Sequence, residues 1–129
     1  MLIDHVEIPV SDADAAKAFY EAALGPLGVA CIVSVSPNHS ASGTKRHGLG
    51  SDGYPRLWLH DGEPAPGGVH LAFAAPDRAT VDAFYAAAMS AGGRDNGRPG
   101  IRVRYHPSYY AAFVHDLDGN NIEVVCQRE

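Results

Sequence analysis

The chain has 129 residues, a formal net charge of −5 at pH 7, 46% hydrophobic residues and 19% charged ones. That length suits one domain with a full core, and that composition argues against disorder. The acidic balance argues against nucleic acid or an anionic membrane as partner, since both select basic patches. No apolar run is long enough to span a bilayer, and the N-terminus lacks the charged-then-apolar pattern of a signal peptide. The expectation is a mature protein that starts at Met1 and stays in the cytoplasm. Cys31 and Cys126 then read as two reduced thiols in apolar segments.

Residues 2–10 read as a strand, with Val6, Ile8 and Val10 alternating with His5, Glu7 and Pro9. Ser11 suits an N-cap, with Asp14 three residues on. Ala16, Phe19, Tyr20, Ala23 and Leu24 form one helical stripe, and Gly25-Pro26 ends it. Residues 29–35 are a β-branched run, hence a second strand. The polar stretch 36–43 reads as a loop. Strands 46–50 and 55–60 flank Asp52-Gly53, a hairpin turn signal. Residues 61–68, rich in Gly and Pro, read as a linker. A strand follows at 69–73, then a helix from Asp77 to Ser90 with the stripe Val81, Phe84, Tyr85, Ala88, Met89. Residues 101–105 read as the sixth strand, and 110–115 and 121–126 as a hairpin around Asp118-Gly119.

The second half repeats the first at a spacing of 65. His5 matches His70, Ala18-Phe19-Tyr20 matches Ala83-Phe84-Tyr85, and Ala22-Ala23 matches Ala87-Ala88. Each half reads β-α-β-β-β, so the chain is a single α+β domain of two repeats, residues 1–62 and 67–129. Neither helix can bury its stripe without a sheet. Pairing the halves predicts one curved, eight-stranded mixed sheet, a cup with both helices outside.

Side chains alternate between the two faces of a strand. The apolar sets Val6/Ile8, Leu57/Leu59, Val69/Leu71/Phe73 and Ile122/Val124/Cys126 should face the helices. His5, His70 and Glu123 then converge on the hollow. Two imidazoles and a carboxylate with open positions suit an open zinc site or non-haem iron. Arg56, Trp58 and His60 should face the same hollow. Trp58 is the repeat mate of Glu123 but cannot coordinate a metal; it could stack on a substrate or plug the site. His106, Tyr109 and Tyr110 precede or open the seventh strand, near where an acid, base or oxyanion donor would sit. Arg102 and Arg104 could anchor an anionic substrate, or be solvated charges on an edge strand.

Several stretches carry a family resemblance: His5-Val-Glu-Ile-Pro-Val, Ala18-Phe19-Tyr20, Gly68-Val-His70-Leu-Ala-Phe, and Asp116-Leu-Asp118-Gly119-Asn-Asn-Ile-Glu123. Over essentially its whole length the chain resembles the vicinal oxygen chelate superfamily, which holds glyoxalase I, extradiol dioxygenases and the fosfomycin- and bleomycin-resistance proteins. The resemblance implies paired βαβββ modules around a divalent ion of iron, zinc, nickel or manganese, held by His5, His70 and Glu123. It implies a small-molecule substrate and a homodimer. It speaks for a lyase, isomerase or ring-cleaving dioxygenase; the alternative is a drug-binding protein without catalysis. Trp58, standing where the family has a fourth ligand, argues against glyoxalase I itself.

Overall fold

A computed structural model describes residues 2–128. Among the described residues, eight strands and two α-helices follow one another in two copies of one pattern. The first module holds β1 (Val6–Val10), α1 (Ala13–Leu24), β2 (Ala30–Val35), β3 (Arg46–Gly50) and β4 (Leu57–Asp61). The second holds β5 (His70–Ala74), α2 (Arg78–Ser90), β6 (Arg94–Ile101), β7 (Tyr110–His115) and β8 (Asn121–Cys126).

The 65-residue spacing survives in three dimensions. The N-caps are Asp12 and Asp77, each accepting a backbone N–H three residues on, from Ala15 and Thr80. Ser11, the expected cap, instead binds Asp118 of the other module through its amide and hydroxyl, at 3.1 and 2.6 Å. Parallel pairing sets Glu7 beside Trp58 in the first module and Ala72 beside Glu123 in the second, a register that repeats without a shift.

The strands form two separate four-stranded sheets, ordered β1-β4-β3-β2 and β5-β8-β7-β6. The continuous eight-stranded sheet expected from the repeat is not formed among the described residues. There, β1 pairs only with β4 and β5 only with β8, so each leaves one edge without a strand partner. The halves join on the helix side instead. One continuous core runs through Phe19, Tyr20 and Leu24 of α1, Val81, Phe84 and Ala88 of α2, and Leu59, Ile122 and Val124 from the sheets. Each large apolar side chain fully removed from water contributes about 1.5–3 kcal/mol, so the shared core is what holds the modules together.

Asp116, buried at the β7–β8 turn, adds a polar clamp. It accepts the Tyr20 hydroxyl from α1, the amides of Asp118 and Asn120, and the Asn120 side-chain N–H. Asn120 Oδ1 in turn accepts the Val69 amide at 2.9 Å. The Asp-Leu-Asp-Gly-Asn stretch therefore ties one module to the other and closes its own turn.

Two strands differ most from expectation, the others by one or two residues. β1 begins at Val6, leaving His5 ahead of the strand. The sixth strand runs over Arg94–Ile101, and residues 102–105 form a turn. Gly97, Pro99 and Gly100 hid this strand. They are tolerated because β6 is an edge strand whose pairing with β7 is irregular on both sides of Gly97. In the α2 stripe, Met89 is exposed rather than buried.

Candidate functional site

Alternation along β5 and β8 brings His70 and Glu123 to the same face of the second sheet. Glu123 is 2% exposed. A carboxylate that deep needs partners, and it has two. His70 Nε2 lies 2.9 Å from Oε1, and the Tyr109 hydroxyl donates to Oε2 at 2.5 Å. Burial, reinforced by this carboxylate, pushes the Tyr109 phenol up to about 12. Tyr109 is therefore a neutral donor at any physiological pH, and it fixes the direction in which Glu123 points. The His70 imidazole itself stays half exposed, its ring centroid 6.3 Å from that of Phe113.

Beside this pair opens a cleft of about 370 Å³, lined by His70, Asn121, Phe113, Gly97, Arg102 and Arg104 among others. The two arginines thus line a cleft with His70, Arg102 partly buried and Arg104 exposed. Alternation along the last strand already turns Asn121 toward the hollow, and it pairs with His70. Phe113 was not singled out from the sequence, although the alternation of β7 would have marked it, since it pairs with Glu123.

His5 does not join the cleft. The described residues contain no group of three His, Cys, Asp or Glu side chains able to share a metal ion. His5 lies on the first module, its Nδ1 2.7 Å from Asp4, whose carboxylate also accepts the Tyr54 hydroxyl. These bonds hold the Asp4 carboxyl below its ordinary value, His5 contributing most. The expected convergence fails within one chain because the sheets carrying His5 and His70 are not joined edge to edge.

The first module's concave face is closed on itself. Arg46 binds Glu7 through two parallel bonds of 3.0 Å, and its guanidinium carbon lies 4.3 Å from the Trp58 ring centroid. His60 Nδ1 comes within 2.8 Å of Glu7 Oε2, at ion-pair distance but without hydrogen-bond geometry. Arg56 is tied to Asp52 and to the Asp4 carbonyl. Trp58, His60 and Arg56 therefore engage their own module.

Of the three residues expected to supply acid, base or oxyanion donor, Tyr109 alone reaches Glu123. Tyr110, one residue on, faces the other way and donates to Asp82 of α2 at 2.6 Å. His106 Nε2 lies 2.6 Å from Gln127 Oε1, and its Nδ1 accepts the Ser108 amide. His106 thus braces the turn before β7.

Residues 2–124 match the Glyoxalase/Bleomycin resistance protein/Dioxygenase superfamily. The chain belongs to that superfamily. It is 31% identical to a glyoxalase/bleomycin resistance protein from Albidiferax ferrireducens T118, with all of both chains covered and a TM-score of 0.75. A glyoxalase/bleomycin resistance protein/dioxygenase family enzyme from Burkholderia phytofirmans PsJN shares the fold at 20% identity and TM-score 0.70, over 97% of this chain and 98% of that one. A glyoxalase I mutant from Zea mays does so at 21% identity and 0.70, over 98% of this chain but only 44% of its own. No functionally curated protein matches the chain. No helix among the described residues is long and apolar enough to cross a membrane.

Proposed function

We propose that the chain is a metal-dependent enzyme of the vicinal oxygen chelate type, acting on a small molecule. The reaction class is lyase- or isomerase-like, or ring-cleaving as in the dioxygenases. The carrying observation is a buried carboxylate, Glu123, paired with the half-exposed imidazole of His70 at the mouth of a cleft. One chain supplies these two donors, and His5 of a second copy is the third. The unpaired edges of β1 and β5 support a homodimer in which modules pair across copies. Val6, Leu57, Leu71 and Phe73 line an apolar groove of about 310 Å³ between those edges, the surface a second copy would cover.

The donor set fits a divalent ion of iron, zinc, nickel or manganese in chemistry, two nitrogens and an oxygen, though in number only with His5 of the second copy. Bound there, such an ion supplies two-point coordination of neighbouring substrate oxygens and Lewis-acid polarisation. The chain's own residues do the rest. Tyr109 holds Glu123 in place and remains a protonated donor, and Phe113 offers an apolar wall to the substrate.

A second reading has one observation in its favour. Both Glu123 oxygens are already satisfied by protein donors, so the carboxylate stands without a metal, as in a drug-binding member. Elemental analysis of untagged protein separates the two. Near-stoichiometric metal that disappears in Glu123→Gln supports the enzyme; no metal after reconstitution supports the binder. Complementation tests the shared site. His5→Ala and Glu123→Gln each bind little metal alone. Refolded together, hybrid dimers regain one intact site each. Failure of the mixture to regain metal would refute the exchange.

A further inference from the structure

The Arg102 guanidinium sits in a seat built for it. Its Nη1 donates to the Gly100 carbonyl at 2.9 Å and its Nη2 to the Arg98 carbonyl at 2.7 Å. It lies over the Phe113 ring, 5.3 Å from the centroid. Two glycines leave room for it. A Cβ on Gly97 would come within 3.0 Å of Nη2 and 2.9 Å of the Phe113 ring, and one on Gly100 within 3.2 Å of Nη1. Two of five N–H donors are used, and three remain.

No carboxylate among the described residues claims the charge. Arg46 and Arg56 form ion pairs on the first module, whereas Arg102 and Arg104 have none among the described residues. Arg104 lies over Tyr105, 5.2 Å from its ring centroid, and lines the same cleft. In a chain of net charge −5, two unpaired guanidiniums facing one cleft are a local reversal of sign.

We propose that Arg102, assisted by Arg104, clamps an anionic oxygen group of the substrate, so that the cleft selects small carboxylates or phosphorylated molecules carrying an apolar body that rests on Phe113. This rests on reading the His70 cleft as the substrate site. It does not require the metal. A planar fork of donors matches a carboxylate or phosphate edge two-to-two, which a lysine cannot do.

The test compares matched probes on the purified protein at low salt by calorimetry or NMR titration: benzoate and phenyl phosphate against neutral benzamide. A charge-assisted pair in the cleft predicts at least one anion binding about tenfold more tightly than the amide. Which one leads tells a carboxylate substrate from a phosphorylated one. Arg102→Gln should erase the gap while metal content and circular dichroism stay unchanged. Should that variant misfold, Arg102→Lys, which keeps the charge and loses the fork, should keep only a minor part of the gap. Equal affinity for anions and amide, or a gap untouched by Arg102→Gln or Arg102→Lys, overturns the proposal. Metal analysis is a separate readout. A gap lost with Arg102 in protein that binds no metal leaves the clamp standing and removes the metal reading. Bound metal without a gap does the reverse.

Discussion

The two modules share a backbone and differ in what they do with their concave faces. The sharpest difference lies in one cross-strand pair. In the first module Gly48 on β3 faces Trp58 on β4; in the second Phe113 on β7 faces Glu123 on β8. Each pair holds one aromatic ring, but on opposite strands. Moving the ring to β7 frees the β8 position for a carboxylate. Around it, Glu7 and Arg46 of the first module correspond to Ala72 and Ala111 of the second. The first face is thereby closed by its own ion pairs, and the second is left open with unpaired arginines. On the outer face the polarity is reversed. The first module runs a chain from Asp14 through buried His47 to Ser34, with bonds of 2.8 and 2.7 Å, where the second has Ala79, Ala112 and Pro99. Duplication conserved the scaffold, and polar groups were then spent on opposite sides of it.

The clamp between the modules should give the largest effect. Asp116→Ala removes the acceptor of four hydrogen bonds, two of them to the Asn120 amide and side chain and one to the buried Tyr20 hydroxyl. Stranding those donors should cost about 3 kcal/mol or more in urea-induced unfolding. A loss under 1 kcal/mol would mean the modules are held by the apolar core alone. Next comes the exchanged ring. A Cβ on Gly48 would lie 2.7 Å from the Pro55 Cβ and 3.0 Å from the Trp58 ring, so Gly48→Ala should cost about 1–3 kcal/mol through overpacking. Wild-type stability in that variant would show that the first module can accept the second module's arrangement.

A pH titration sharpens the clamp further. Burial, with Asp116 adding to it, raises the Tyr20 phenol well above the ordinary value. Below pH ~10 neither state ionises it and its contribution is fully present. Above that the unfolded chain releases the proton while the folded one keeps it, so stability falls as pH rises. Tyr20→Phe should therefore flatten part of the alkaline decline in unfolding free energy. A decline of unchanged slope would assign it to the other tyrosines.

Legibility followed the range of the interaction. The repeat, both helical stripes and the β7–β8 hairpin were readable because local periodicity and turn residues specify them. The alternation of β8 put Glu123 on His70's face for the same reason. The gap between β1 and β5 was not readable. Which edges meet depends on how α1 packs on α2, and no local pattern records that. The β6 strand hid behind Gly97, Pro99 and Gly100, of which the two glycines leave room for Arg102. Tyr110 is a different kind of miss. Tyr110 opens β7 on the face of Cys126, whereas Tyr109 lies in the turn before the strand, and only Tyr109 reaches Glu123. Whether Trp58 stacks on a substrate was open in the sequence; in the fold one face of its ring carries the Arg46 guanidinium.

The smallest effect is expected where the first face looks most organised. Glu7 and Arg46 form a two-point ion pair, yet their side chains remain 32% and 23% exposed. Water and salt screen such a pair, and ordering two long side chains offsets part of its attraction. A double-mutant cycle of Glu7→Gln and Arg46→Gln should give a coupling of about 1 kcal/mol or less, shrinking in 0.5 M salt. The consequence for binding is larger than for stability. Without Glu7, Arg46 becomes an unpaired guanidinium over an aromatic ring, as Arg102 is over Phe113. Glu7→Gln should therefore give the first module a weak preference for benzoate over benzamide that wild-type lacks there, read as chemical-shift changes at Trp58. No change at Trp58 would mean that an unpaired charge is not enough, and that the glycine-lined seat is what makes Arg102 a clamp.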